Sequence, residues 1–177
     1  DVVVTDILIE SDPDLEQAVA QSESILANVM QSQGAIYTEK TVADIIAMGR
    51  RASAYKMDVT NRGQVAEVIG KVMAEYGRID ILINNAATLD HVGPIERQQD
   101  NLWDRDLKVN LSGAYNVTKA VFPHMKEKGY GRIIFMASVA GTLGGFGQAS
   151  YSSTKAAVVG LGKTMALEGG RYGITSN

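Results

Sequence analysis

The chain has 177 residues, 45% hydrophobic and 21% charged, the balance of an ordinary globular protein long enough to bury a substantial core within one domain. A net charge of −3 offers no basic footprint for nucleic acid and no polybasic patch for a membrane surface. With no cysteine, disulfides, thiolate nucleophiles and cysteine–metal sites are excluded, and the only two histidines, His91 and His124, are too far apart to suggest a metal site.

Asp1 to Ile7 opens as a strand that ends in an acid, Asp6. Asp12 and Pro13 then suit an N-cap and a first helical position. Leu15, Ala18, Val19, Ser22, Ile25, Leu26, Val29 and Met30 keep helical spacing up to a terminating Gly34. Five acids and no base lie between Glu10 and Gly34, which reads as a solvated acidic face on a packing helix. A short helix is predicted over 41–49 and a strand over 52–57, with Asp58 and Val59 at its carboxyl end. Asn61 is placed to cap a helix over 64–76, with Val65, Val68, Ile69, Val72 and Met73 on its apolar side and Gly77 at its end.

Ile79 to Ile83 reads as the next strand and runs into Asn84-Asn85-Ala86-Ala87. Small residues there let backbone approach a ligand ring, while asparagine side chains tie loop backbone together. His91, in the following loop, is expected to be solvated. A long helical pattern covers 101–126, with Trp103, Tyr115 and Phe122 as core or subunit-interface residues. Asn110 falls inside it, where intrinsic propensity does not favour asparagine.

The run 132–137 is short and bulky enough for a buried parallel strand. Glycines 141, 144, 145 and 147 make a loop after it. A helix over 149–168 follows, with Ala156, Val159, Leu161, Thr164, Met165 and Leu167 assigned to its buried side. Ser138 sits at the carboxyl end of the strand, the edge where open α/β sheets place ligands. Tyr151 and Lys155 are four apart and share a helix face.

That trio has a specific chemistry. A free tyrosine, with a pKa of about 10, exchanges protons poorly at pH 7, and a neighbouring ammonium favours the tyrosinate. The pair then serves as general acid and base for an alcohol/carbonyl couple, with a serine hydroxyl holding the oxygen. Tyr115 and Lys119 repeat the Tyr-x-x-x-Lys spacing, but Leu102 stands where a serine thirteen residues upstream is required.

Ser138, Tyr151 and Lys155, together with Asn84-Asn85-Ala86-Ala87 and Asn110, resemble the short-chain dehydrogenases/reductases, and the spacing of Asn110, Ser138, Tyr151 and Lys155 matches that family's catalytic tetrad. The resemblance covers the chain except residues 10–40, and Ala87 departs from the family's commoner glycine. It implies an α/β fold with a doubly wound parallel sheet, residues 1–177 forming a nucleotide-binding and catalytic domain with an atypical acidic insert at about 10–40, where an insertion in some members covers the adenosine side of the cofactor. It implies Tyr151 as general acid/base, Lys155 tuning it and binding the nicotinamide ribose, Ser138 positioning the substrate oxygen, and Asn110 holding a water of a proton relay. Cofactor contacts are implied for Asp6, Ile7, Asp58, Val59, Asn84, Ala86, Tyr151 and Lys155. An acid at position 6 accepts hydrogen bonds from ribose hydroxyls and repels a 2′-phosphate, which favours NAD over NADP.

No glycine fingerprint accompanies the opening strand, and the glycines at 141–147 follow the wrong strand. Without a first strand, a sheet of order 3-2-1-4-5-6 falls into two halves. The chain is therefore expected to be an internal segment, incomplete at both ends. The expected reaction is NAD-linked interconversion of a small-molecule alcohol and ketone, without metal. Alternatives are an NADPH-dependent 3-oxoacyl thioester reductase, against which Asp6 counts, and a non-catalytic remnant or binding module. A homodimer or homotetramer is implied by the family. No apolar run approaches the roughly 18 residues of a membrane span and no signal peptide is visible, so a cytoplasmic protein is expected.

Overall fold

A computed structural model describes the chain apart from residues 22–24, 35 and 90. It divides into two compact units, Asp1–Asp58 and Val59–Asn177. The strands form two separate parallel sheets, one in each unit.

In the first unit β1 (Val2–Asp6) pairs in parallel with β2 (Ala52–Lys56), placing Asp6 opposite Lys56. Among the described residues, α1 (Leu15–Gln21), α2 (Ile25–Ser32) and α3 (Thr38–Ala47) lie between them. The helix expected from Asp12 begins later. Asp12 instead turns the chain by accepting the Asp14 N–H at 3.1 Å, and α1 starts at Leu15. Ser22 of the predicted spacing and Glu23 of the five acids lie outside the described residues. Gly34 ends the helical stretch as expected, at φ 61°. Leu8, Val19, Ala27 and Ile36 form the core, with Ile7 and Leu15 packed against it.

The acidic face is only partly solvated. Glu10 accepts the N–H groups of Glu39 (2.8 Å) and Lys40 (3.1 Å) in the first turn of α3, and Asp12 pairs with Lys56. Those contacts, with the buried Thr38 hydroxyl donating to the Leu8 carbonyl at 2.9 Å, start α3 three residues ahead of the predicted Thr41.

In the second unit α4 (Arg62–Tyr76) has the predicted cap, Asn61 accepting the N–H groups of Gly63 and Gln64, and the predicted stop, Gly77 at φ 71°. Its buried side is Val65, Val68, Ile69 and Val72. β3 (Ile81–Asn84), β4 (Gly131–Phe135) and β5 (Ile174–Ser176) form a parallel sheet with β4 in the middle. Asn84 lies opposite Phe135, so β3 and β4 deliver their following loops to one carboxyl edge. The predicted long helix is interrupted: α5 (Asp100–Asp106), a π-helical segment Leu107–Gly113, then α6 (Ala114–Lys128). The loop expected at 138–147 contains a short helix, α7 (Ala140–Leu143), before α8 (Ala149–Gly169).

The buried face of α8 differs from the apolar stripe in the sequence. Ser150, Thr154, Val158 and Gly162, spaced four apart, are buried together with Lys155 and Gly169, whereas Ala156, Thr164 and Leu167 are exposed. Small residues bring α8 close to its neighbours. A Cβ at Gly162 would sit 3.3 Å from the Phe135 ring of β4. Tyr115 is likewise not core, being 42% exposed.

Candidate active site

The predicted cofactor residues fall in both units. In the first, Asp6 closes β1. The residue is exposed, but its carboxyl folds back against the next turn and accepts the Leu8 N–H at 2.9 Å. Desolvation there raises its pKa above the usual carboxylate value, against the lowering effect of the Leu8 and Ile7 N–H groups. Ile7 is half-buried against the local core, and Asp58, also half-buried, is the last residue of the unit.

In the second unit Val59 is fixed by its carbonyl, which accepts the Asn116 amide at 3.0 Å. Gly113 makes this approach possible, since a Cβ there would come within 2.5 Å of the Val59 side chain. Asn84 donates its side-chain amide to Thr118 at 3.0 Å, while its carbonyl accepts the Met136 N–H at 3.0 Å. Its side chain therefore ties β3 to α6. Ala86, beyond the strand, is exposed at the carboxyl edge.

Lys155 is 5% exposed. Its ammonium donates to the Met136 carbonyl at 2.5 Å and lies 5.5 Å from the centre of the Tyr151 ring. Burial pushes its pKa below the ordinary lysine value. Gly141 sets the distance between α7 and α8: a Cβ there would stand 2.7 Å from the Lys155 carbonyl carbon and 2.8 Å from the Ala156 nitrogen. Ser138 is half-buried immediately before α7, its Oγ accepting the Ala140 N–H at 3.2 Å. One packing contact thus holds the serine segment against the lysine.

Asn110 is 2% exposed and lies inside the π-helical segment. Its carbonyl oxygen accepts the Thr88 N–H at 2.7 Å, and its amide donates to the Thr88 carbonyl (3.1 Å) and to Thr154 Oγ1 (3.2 Å). Thr154 Oγ1 in turn donates to the Tyr151 carbonyl at 2.9 Å. The asparagine side chain therefore links the loop after β3 to the turn of α8 that carries Tyr151.

A second link, absent from the sequence reading, is Asp106, which is fully buried. Its carboxylate accepts the hydroxyls of Thr88 (2.5 Å) and Ser150 (2.6 Å) and the Arg105 guanidinium at 3.0 and 3.3 Å. His91 is not a solvated loop residue. Its side chain is 13% exposed, with Nδ1 3.8 Å from Asp106 and Nε2 3.5 Å from Ser150 Oγ. In the sequence Asp106 belongs to the charged string Asp104-Arg105-Asp106, and its positional signals are its offset of four from Asn110 and a serine beside Tyr151.

Glycines 141, 145 and 147 have G-x-x-x-G-x-G spacing, but packing accounts for each of them. Gly141 meets α8, Gly145 lies under the Gln148 side chain, and Gly147, at φ 71°, abuts Gly93. The Gly147 carbonyl accepts the Gly93 N–H at 3.0 Å and the Gln98 amide at 3.0 Å, so the two edge loops are fastened together. Among the described residues no cluster of histidine and acidic side chains could hold a metal ion, and no helix is long and apolar enough to cross a membrane.

Residues 17–177 match the family model described as short chain dehydrogenase. Among curated proteins the chain is 38% identical over 162 residues to the (2S)-[(R)-hydroxy(phenyl)methyl]succinyl-CoA dehydrogenase subunit BbsD of Thauera aromatica, covering 92% of this chain and 64% of that one. Among solved structures it resembles an NAD+-bound xylitol dehydrogenase, with a TM-score of 0.78 and 35% identity over 79% of this chain and 54% of the other. It also resembles a gluconate 5-dehydrogenase of Burkholderia cenocepacia in complex with NADP and tartrate, with a TM-score of 0.77 and 30% identity over 99% of this chain and 58% of the other. The chain spans 50–64% of the length of the first curated relatives it matches.

Proposed function

The chain belongs to the short-chain dehydrogenase family, and from that premise we propose that the protein interconverts an alcohol and a ketone, with NAD as cofactor. The observation that carries the reading is the fixed ammonium of Lys155, buried against Met136 and 5.5 Å from the Tyr151 ring. An ammonium has three N–H donors and Met136 takes one, which suits the others to the hydroxyls of a ribose. Held there, the cofactor would supply the hydride acceptor for oxidation as NAD and the hydride donor for reduction as NADH.

Tyr151 exchanges the substrate proton at its phenolic oxygen, and the Lys155 charge steadies the negative charge that develops there. Ser138 Oγ orients the substrate oxygen. Asn110 acts through Thr88 and Thr154, holding the loop after β3 and the Tyr151 turn in register. Ala86 gives the cofactor ring close access to backbone. Asp6 accepts from the adenosine ribose and disfavours a 2′-phosphate, and Asp58 of the same unit faces the adenine, as the family resemblance implies. The apolar exposure of Leu167 on α8, with Tyr115 on α6, supports a homodimer or homotetramer built on those helices.

The test is NADH formation by the full-length protein across a panel of secondary alcohols, with NAD and NADP compared. Turnover with NAD at least tenfold better than with NADP supports the reading. Activity restricted to NADPH and 3-oxoacyl thioesters would replace it with the reductase, and no turnover with stable folding would favour a binding module.

A further inference from the structure

We propose that Asp106 is a positioning residue for Tyr151, setting the first turn of α8 against the loop that follows β3; the kinetic part of this inference rests on the reading given under Proposed function. Ser150 immediately precedes Tyr151, and its hydroxyl donates to Asp106 at 2.6 Å. Thr88 belongs to the loop after β3 and donates its hydroxyl to the other oxygen of the same carboxylate at 2.5 Å. Both hydroxyls thus converge on one buried acceptor, and their carrier segments are fixed relative to each other.

The group must be an acceptor on both sides. Two hydroxyls and the Arg105 guanidinium all point donors at it, and a carboxylate is the side chain that only accepts. Arg105 supplies the countercharge that keeps a fully buried carboxylate tolerable. Asn110 runs a parallel link from Thr88 to Thr154, on the far side of Tyr151 from Ser150. Asp106 and Asn110, four apart and straddling the start of the π-helical segment, therefore brace the tyrosine turn at two points.

Asp106→Ala removes the shared acceptor, whereas Asp106→Asn retains it in large part. The amide oxygen can take Thr88 and Arg105, and the amide nitrogen can face Ser150 if that hydroxyl reverses toward His91 Nε2, 3.5 Å away. In the full-length protein, Asp106→Ala should lower kcat by about 10–100-fold, the scale of a misplaced catalytic group, with the NADH dissociation constant changed less than threefold. Asp106→Asn should recover kcat to within about fivefold of the native protein. Ser150→Ala, which removes one link only, covers the case in which Asp106→Ala does not fold, and should lower kcat by roughly 3–10-fold at unchanged NADH affinity. Amide hydrogen exchange provides a readout independent of turnover: segments 86–89 and 149–155 should exchange at least tenfold faster in the Ser150 and Asp106 variants, while β4 keeps its protection. Unchanged exchange in both segments, or a loss of NADH affinity equal to the loss of kcat, would overturn the proposal. If the native protein turns over no alcohol, the reading of function fails, and the exchange result alone decides the role of Asp106.

Discussion

Gly141→Ala tests how closely the serine segment must approach α8. The new Cβ would stand 2.7 Å from the Lys155 carbonyl carbon, 2.8 Å from the Ala156 nitrogen and 3.0 Å from the Lys155 oxygen. Optimal carbon contact lies near 3.5 Å, so the two backbones would have to separate by about 0.8 Å. The obstruction is helix backbone, which cannot rotate away as a side chain can. Alanine is favoured over glycine in a helix by about 1 kcal/mol, and overpacking costs about 1–3 kcal/mol, so the net effect is a destabilisation of up to about 2 kcal/mol. Separation also carries Ser138 with it, because the Gly141 N–H donates to the Ser138 carbonyl at 3.0 Å. Turnover should then fall by about 10–100-fold. Gly70→Ala, in α4 with no atom within 4 Å of the added carbon, is the control and should gain about 1 kcal/mol. Thermal melts of the two full-length variants separate these outcomes, at about 2–4 °C per kcal/mol for a chain of this size. If Gly141→Ala stabilised as much as Gly70→Ala and kept its turnover, the close packing of α7 on α8 would have no bearing on the site.

Asp6→Ser should erode a preference for NAD over NADP by at least tenfold in kcat/KM, since the carboxylate no longer opposes a 2′-phosphate; an unchanged ratio would remove Asp6 from the adenosine site. The pKa of Lys155 is lowered by burial, so the folded protein holds its proton less tightly than the unfolded chain does. The burial cost is fully present below the folded pKa and is relieved as pH rises toward the unfolded value of about 10.4. Native stability relative to Lys155→Met should therefore rise along the alkaline limb of a denaturant series, and a flat difference would contradict the burial. Leu167, 86% exposed on α8, should be covered in the assembled protein, so Leu167→Glu should shift sedimentation toward a smaller species, whereas a native monomer at micromolar concentration would refute the assembly.

Signals that lie within a few residues of each other were legible. Asn61 and Gly77 bracket α4 because a cap and a left-handed stop are local chemistry. The turn of Tyr151 and Lys155 follows from their spacing, and the two-sheet division follows from the strand count. What the sequence hid depends on distant partners. Asp106 draws no notice in the sequence because its partners Thr88 and Ser150, 18 and 44 residues away, meet it only once the chain is folded. The face of α8 was misread for a related reason. Hydrophobic periodicity finds stripes of large apolar residues, whereas this helix buries Ser150, Thr154 and Gly162 to approach its neighbours closely, and leaves Leu167 outside. Asn110 was identified through the family's spacing; helix propensity alone speaks against it, and the π-helical segment accommodates it.

The proton-transfer assignment is tested most directly by comparing Tyr151→Phe with Tyr115→Phe in the full-length protein, following NADH formation with an alcohol that the native protein oxidises. Tyr151→Phe keeps the ring beside Lys155 but removes the exchangeable proton, and turnover should fall by about 10²–10⁴-fold or more with NADH still bound. Tyr115, 42% exposed on α6 with Lys119 5.7 Å from its ring, presents the same sequence spacing away from this site, and its replacement should leave turnover within about twofold. Full activity in Tyr151→Phe, or a loss confined to Tyr115→Phe, would contradict the assignment.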